Sequence, residues 1–270
     1  CGSGSACCGQ AGCIQPDLGG LSPDLLTGYE LFFCILIVIA ASTVLGTVGF
    51  GFGLVSAPVL LIYLEPQQAV VVINCLIGLM LVMVLLRTWR QLEIQASMGL
   101  VLGGVAATPV GVLALNAASP SVLRITIAFV IIFLGLFSLK NVQLPFAENK
   151  ISGPLFGFLT SLAVTTIAIG GPLGAIYAIS QKWKPDTVRA ALALLFLASD
   201  IVAFALYWAT GLVNQDTLTN IALLIPGLII GFGLASVLVN RINDQVFRHA
   251  VIAVIVIAGS VMLFREFSDV

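Results

Sequence analysis

Charged residues are scarce in this chain of 270 residues: Asp, Glu, Lys and Arg make up 9% of it, and the formal net charge is −1. This balance argues against a nucleic-acid partner, and no polar stretch is long enough to form a separate soluble domain. Histidine occurs once, as His249, and zinc-protease, nucleophile-elbow and phosphate-loop motifs are missing. We therefore expect neither an enzyme nor a bound metal or cofactor.

Hydrophobic residues, in contrast, make up 60% of the chain and form runs longer than the roughly 18 residues that indicate a membrane helix. Backbone groups find no water in lipid, so a span is either a helix or part of a closed barrel. These runs lack the apolar and polar alternation of barrel strands. The sequence predicts an all-α polytopic membrane protein that forms one integrated membrane domain.

Gly, Pro and charged residues divide the apolar sequence into five segments in each half. The predicted segments are 29–47, 50–63, 67–86, 94–115 and 120–139, followed by 152–168, 171–181, 187–210, 217–240 and 246–264. We accordingly divide the chain into a Cys- and Gly-rich extracytoplasmic tail (1–28), a first membrane repeat (29–145) and a second membrane repeat (146–270).

Two uncharged, glycine-rich breaks interrupt the first pair of segments in each repeat. The first break lies between Gly46 and Pro58, and the second between Ile169 and Gly174. Paired interruptions at corresponding positions of two halves point to the substrate site of a transporter. The halves align through four short matches: Pro58 with Pro172, Glu65-Pro66 with Lys184-Pro185, Gly111 with Gly233, and Val122-Leu123-Arg124 with Val246-Phe247-Arg248. Small-residue packing between helices is the alternative explanation of these matches.

The distribution of basic residues predicts the orientation of the chain, because Lys and Arg are enriched in cytoplasmic loops. If each broken pair enters and leaves on the same side, or crosses twice, each half makes an odd net number of crossings and the two halves are inverted. With both termini outside, nine of the eleven basic residues are cytoplasmic, and only Arg124 and Arg265 lie outside. The nine are Arg87, Arg90, Lys140, Lys150, Lys182, Lys184, Arg189, Arg241 and Arg248.

The backbone at the two breaks favours the binding of a small anion. A helix that restarts after a break has unpaired amides and a partial positive charge at its first turn. Glycines let a ligand approach the backbone, and hydroxyl groups add donors. Tight helix packing is the alternative role of the glycines. The predicted substrate-binding residues are Thr47, Gly49, Gly51, Gly53, Ser56, Thr165, Thr166, Gly170, Gly171 and Gly174.

The residues from Gly46 to Pro58, with the turn Glu65-Pro66-Gln67-Gln68-Ala69, resemble the sulfite exporter TauE/SafE family of membrane permeases. So do the residues from Gly153 to Gly174 followed by Lys184-Pro185-Asp186. The resemblance covers most of the chain from about residue 30 onward. It implies export of small anions such as sulfite, sulfoacetate or related sulfonates across the cytoplasmic membrane, and it supports anion transport better than any one substrate.

Two polar side chains lie inside predicted spans. An ionised Asp at a helix centre costs about 2.5 to 3.5 kcal/mol on insertion scales, so Asp200 requires a partner or a function. It is predicted either to carry a coupling proton or to form a structural hydrogen bond; coupling to sodium is another possibility for the transporter. Asn74 either lines the path or finds a partner in the protein interior.

Three arginines lie at predicted membrane boundaries. Arg189 is predicted to anchor the cytoplasmic end of its helix, with attraction of an anion into a vestibule as the alternative. Arg87 and Arg90 flank Trp89 and are interpreted as an interfacial clamp of basic and aromatic anchors rather than as substrate ligands.

Four of the six cysteines, Cys1, Cys7, Cys8 and Cys13, crowd the tail, where an outside location permits disulfides. Their spacing does not match a zinc site well, and a thiol site for a sulfur substrate or soft metal is the alternative. The first residue is Cys rather than Met, which we interpret as processing or truncation. Besides an anion transporter in a lipid bilayer, the remaining hypotheses are a thiol or redox protein that uses these cysteines and a membrane scaffold that does not transport.

Overall fold

The computed structural model describes residues 25–137 and 152–238, and every regular element in these two ranges is helical. This confirms the prediction of an all-helical protein, whereas the tail and the predicted segment 246–264 lie outside the described residues. The helices are α1 (Gly28–Val48), α2 (Phe52–Tyr63), α3 (Pro66–Thr88), α4 (Ile94–Ala117), α5 (Pro120–Phe137), α6 (Gly153–Ile167), α7 (Gly171–Ser180), α8 (Pro185–Ala209) and α9 (Gln215–Leu238), with a 3₁₀ turn at Trp89–Gln91.

Helix length separates membrane spans from half-helices. Within the described ranges, five helices are long and apolar enough to cross a membrane: α1, α3, α4, α8 and α9. Helix α2 has 12 residues and α7 has 10. At about 1.5 Å per residue these two helices are roughly 18 and 15 Å long, about half of a hydrocarbon core of about 30 Å.

Proline sets several of the helix boundaries. Pro66 and Pro185 occupy the first turns of α3 and α8, where the missing amide hydrogen costs nothing. Pro58, Pro109 and Pro226 instead lie inside α2, α4 and α9, and each removes one backbone donor from its helix.

Two helix pairs pack closely through glycine. Helices α1 and α9 run parallel: Ile35 lies against Gly227 and, one turn later, Ile39 lies against Gly231. Helices α4 and α6 also run parallel: Pro154 lies against Gly103 and, two turns later, Thr165 lies against Gly111. The absence of a side chain lets the backbones approach, as is common between membrane helices.

Helices α3 and α8 are antiparallel and occupy the interior. Asn74 of α3 bonds to Tyr207 of α8, and Gly78, one turn further along α3, lies against Asp200. Helices α6 and α7 form a hairpin instead. Tyr177 near the end of α7 contacts Gly153 at the start of α6, so the chain returns to the side from which it entered.

The described basic residues separate between the two ends of the helices. Arg87 and Arg189 line one cleft at the end where α3 finishes and α8 begins, and Arg90, Lys182 and Lys184 belong to the same end. At the other end Gln67 donates a 3.0 Å hydrogen bond to the carbonyl of Ala118, and Arg124 follows that turn. Which of these ends faces the cytoplasm stays a prediction.

Candidate functional site

The first break contains two glycines in the left-handed region of backbone space. Gly49 ends α1 with φ 93°, and Gly51 precedes α2 with φ 101°. Residues with a Cβ adopt such angles only with strain, so the sequence Gly49-Phe50-Gly51 permits a sharp reversal between the two helices. The reversal leaves α2 starting at Phe52, inside the protein.

The second break turns at a residue that is not glycine. Ala168 ends α6 with φ 58°, and its amide donates a 2.8 Å hydrogen bond to the carbonyl of Val164. Gly170 and Gly171, which follow Ala168, have no room for a side chain. A Cβ on Gly170 would overlap the carbonyl oxygen of Thr160, and one on Gly171 would lie 2.6 Å from the Cβ of Phe50.

The two breaks meet inside the bundle. A Cβ on Gly53 would overlap the carbonyl oxygen of Ala168, so the first turn of α2 lies directly against the end of α6. Ile77 and Phe196, near the midpoints of α3 and α8, line the space between the breaks and place it halfway along both helices. The complete lining is Leu45, Phe50, Gly51, Phe52, Gly53, Leu54, Ile77, Val164, Ala168, Ile169, Gly170, Gly171, Pro172 and Phe196.

The electrostatic character of this central pocket comes from the backbone, because no lining side chain is charged. Gly51, the N-cap of α2, makes no side-chain cap, and the first amides of a helix have no partner within it. The carbonyl dipole of Ala168 faces this partly positive end. Helix α7 offers fewer donors, because Pro172 has no amide hydrogen and Leu173 donates to the carbonyl of Gly170 at 3.1 Å.

The four predicted hydroxyl ligands all donate to backbone carbonyls and do not line the central pocket. Thr47 bonds to Thr43 at 2.8 Å, and Ser56 bonds to Phe52 at 2.9 Å. Thr165 bonds to Ser161 at 2.8 Å, and Thr166 bonds to Gly111 of α4 at 3.2 Å. Sequence could not reveal these contacts, since Ser and Thr in a helix bond back to the preceding turn or outward with equal ease.

Some of the predicted glycines line the central pocket, and the others pack against neighbouring side chains. Gly51, Gly53, Gly170 and Gly171 line the central pocket. Gly49 packs against the side chain of Arg189 instead, and Gly174 packs against Leu192 and Thr160. Sequence analysis missed several apolar residues that line this pocket, among them Phe50, Ile77, Ala168, Ile169 and Phe196. Only their positions beside the breaks could have indicated them.

A buried polar cluster lies beside the central pocket. The amide of Asn74 donates to the carbonyl of Val164 at 3.1 Å and to the hydroxyl of Tyr207 at 3.0 Å, and Tyr207 donates to the carbonyl of Thr165 at 2.7 Å. Asn74 thus joins α3 to α6 and α8. Its side-chain oxygen and both carboxylate oxygens of Asp200 are buried without a hydrogen-bond partner among the described residues.

A second, larger cavity of about 240 Å³ opens beside the first break and is here called the cationic cleft. Arg87 donates a 2.8 Å hydrogen bond to Ser236 of α9, whereas Arg90 lies 5.7 Å from the ring centre of Trp89. The role of Arg87 and Arg90 as interfacial anchors stays a prediction. The cleft is lined by Gly46, Val84, Arg87, Thr88, Gln91, Asp186, Arg189, Phe232, Ala235 and Ser236.

Metal-binding potential is low in the part of the chain that the structure describes. It contains no group of three or more His, Cys, Asp and Glu side chains that could hold a metal ion. Cys34 and Cys75 are free thiols in α1 and α3. The four cysteines of the tail and His249 lie outside the described ranges, so the hypotheses about them stay predictions.

Comparison with known families adds independent information. The family model described as "Sulfite exporter TauE/SafE" matches residues 34–262 of the 270. No curated protein and no solved structure matches the chain. The family match spans both breaks, all five long helices except the first turns of α1, and the two half-helices. The chain therefore belongs to the sulfite exporter TauE/SafE family of membrane permeases.

Proposed function

We propose that this permease is a secondary transporter that moves small sulfur oxyanions, such as sulfite or organosulfonates, across the cytoplasmic membrane by alternating access. The observation that carries the proposal is the contact of the two breaks, Gly53 against Ala168 and Phe50 against Gly171, halfway along α3 and α8. Backbone without regular hydrogen bonds is costly at membrane depth unless it lines a site, and this arrangement recurs in secondary transporters.

An anion suits this position better than a cation. The first turn of α2 provides unpaired amides and the positive end of a helix dipole, in surroundings without a charged side chain. The carbonyl of Ala168 already occupies that position as a partly negative group. An oxyanion in the place of this carbonyl would carry a full negative charge and could accept hydrogen bonds from these amides.

The size of the central pocket requires movement. Its volume is about 20 Å³, room for about one water molecule. Sulfite has four heavy atoms, so it enters only if the two breaks separate. Separation of one half from the other, alternately toward each face, is the motion that alternating access describes.

Matching contacts support inverted repeats as the basis of that motion. Gly103 meets Pro154 and Gly227 meets Ile35, while Gly111 meets Thr165 and Ala235 meets Gly46. The positions in α4 and α9 differ by 124 in both cases (227 − 103 and 235 − 111), and those in α1 and α6 differ by 119 (154 − 35 and 165 − 46). These offsets favour Ala235 as the packing counterpart of Gly111, whereas the sequence match pairs Gly111 with Gly233.

We include Asp200 as the coupling residue. Its buried carboxylate has no hydrogen-bond partner among the described residues, and it lies against Gly78 of α3, one turn from Asn74. A proton is the smallest ligand that removes the cost of an unpaired charge there. Among the residues that the structure describes, the titratable groups that interact with Asp200 electrostatically are Cys75 of α3 and Tyr207 of α8. Other gradients, such as sodium, are alternatives to test.

The experiment is flux into liposomes that contain the purified protein, with labelled sulfite, sulfoacetate and thiosulfate compared under an imposed proton or sodium gradient. We expect saturable, protein-dependent flux of at least one of these anions. The Gly53→Ala variant serves as the blocked control and Gly233→Ala as the matched active control, because a Cβ at Gly233 meets no atom within 4 Å. Absence of flux for every small anion would contradict transport.

A further inference from the structure

The cationic cleft gathers polar side chains from three helices and from the turn that follows α3. Arg87 comes from the end of α3, Arg189 from the start of α8 and Ser236 from α9, while Gln91 belongs to the 3₁₀ turn. These residues are far apart in sequence, so only the fold brings the two guanidinium groups to one cavity. With a volume of about 240 Å³, the cleft is large enough for a small hydrated anion.

The charge of the cleft is positive but partly neutralised. Asp186 contributes the one carboxylate of the lining, and one of its oxygens lies 3.3 Å from a guanidinium nitrogen of Arg189. The Asp186 side chain is 59% exposed and that of Arg189 is 23% exposed. Exposed ion pairs of this kind contribute little to stability. A bound oxyanion can therefore replace Asp186 as the partner of the Arg189 guanidinium, while Asp186 remains solvated at the N-terminus of α8.

The cleft is bounded on one side by the first break. Gly46 of α1 lines the cleft, and three residues later Gly49 packs against Arg189, whose Cγ would lie 2.9 Å from a Cβ at that glycine. On the far side of this contact, Phe50 and Gly51 line the central pocket. Arg189 thus lies between the cleft and the site proposed above.

We propose that the cationic cleft is a second anion site, in which Arg87 and Arg189 hold an oxyanion before it passes Gly49 into the central pocket or after it leaves. The proposal rests on the proposed transport function and assigns its loading site. Guanidinium groups suit this chemistry, because their planar donors bind two oxygens of one oxyanion. Ser236 and Gln91 supply further polar groups, and Asp186 acts as a built-in competitor that keeps the affinity low enough for release.

Equilibrium binding of thiosulfate to the purified full chain tests the proposal, at constant ionic strength and with chloride as the reference anion. We expect Arg87→Gln and Arg189→Gln each to weaken binding about tenfold, since each removes charged donors. Arg90→Gln is the matched control, because it loses the same charge three residues from Arg87 but faces Trp89. Asp186→Asn should tighten binding, a result that a merely structural ion pair does not predict. Equal effects of all three arginine substitutions would overturn the proposal.

Chemical modification of the unaltered protein provides a test that does not depend on variant folding. An arginine-directed dicarbonyl reagent, followed by peptide mass spectrometry, measures the reactivity of each arginine with and without thiosulfate. We expect thiosulfate to protect Arg87 and Arg189 more than Arg90. Equal protection at the three positions would contradict a site in the cleft.

Blocking the central pocket separates this proposal from the transport proposal. Gly53→Ala places a Cβ on the carbonyl of Ala168, and Gly53 is not a lining residue of the cleft. Thiosulfate protection of Arg87 and Arg189 that persists in this variant supports the loading site, even if flux has stopped. Protection that disappears with the blocked pocket would overturn a separate cleft site, whereas absence of flux in the unaltered protein would count against transport alone.

Discussion

Gly53 in the first half of the chain lies directly against the carbonyl oxygen of Ala168 in the second half. The two residues are 115 positions apart. Gly53 lies in the first turn of α2, and Ala168 directly follows α6. Their contact joins the positive end of α2 to the last carbonyls of α6. The candidate site of this permease lies at this contact.

Gly53→Ala should reduce anion flux by about tenfold or more while leaving the protein in the membrane. Alternating access brings the two breaks back into contact in every cycle, and the added methyl group overlaps a backbone carbonyl in that contact. Overpacking of this kind raises the free energy of the closed state by about 1–3 kcal/mol. About 1.4 kcal/mol of added barrier corresponds to a tenfold slower rate. The measurement is the initial rate in proteoliposomes, normalised to protein. Gly233→Ala should keep the parental rate, and equal rates for both variants would contradict the account.

Ala168→Val should destabilise the protein by about 1–3 kcal/mol, because a β-branched residue is strongly disfavoured at the φ of 58° found here. Ala168→Gly removes the methyl group of Ala168, which is what strains a positive φ, and should leave stability unchanged or raise it by about 1 kcal/mol. Thermal unfolding in detergent measures both. Similar losses for Val and Gly would show that position 168 is not left-handed.

Tyr207→Phe should lower the free energy of unfolding by about 1 kcal/mol, because the lost hydroxyl leaves the carbonyl of Thr165 and one donor of Asn74 without their partner. Tyr29→Phe is the matched control: Tyr29 is 69% exposed, and we expect no change beyond about 0.5 kcal/mol. Unfolding midpoints of the two variants provide the comparison.

Asp200→Asn should uncouple anion flux from proton movement. Asn has the shape of a protonated Asp but cannot ionise, so the variant retains the neutral form at every pH. We expect anion-driven proton entry, followed with a pH dye inside liposomes, to disappear while anion counterflow continues. Unchanged proton entry in the variant would remove Asp200 from the mechanism and leave it a structural acid.

Much of the fold was predictable because its boundaries coincide with glycine, proline and charge. The start of α3 at Pro66 and of α8 at Pro185 follows from the fixed φ of proline, and the first break follows from Gly49 and Gly51. The second break was located through its glycines, yet the residue that turns the chain is Ala168. A left-handed alanine has no sequence signature, because only the surrounding packing holds it there.

The candidate site and the cationic cleft were less predictable, since their residues come from distant segments. Arg87 and Arg90 look alike in sequence, but one bonds to α9 and the other stacks beside Trp89. Arg189 was predicted to anchor a helix end, and its position against Gly49 depends on how α8 crosses α1. Side-chain direction at a helix end is set by tertiary packing, which a single sequence does not display.

The most direct test of the central claim is a disulfide between the two breaks. Phe50→Cys and Gly171→Cys, with the six natural cysteines replaced, place two thiols where the Cβ positions lie 2.6 Å apart. That separation is short of the usual Cβ distance in a disulfide of about 3.8 Å, so only a small adjustment is required. The account predicts that oxidation in membranes forms this bond and stops anion flux, and that reduction restores it. Failure of the bond to form, or full flux with the bond in place, would contradict the account.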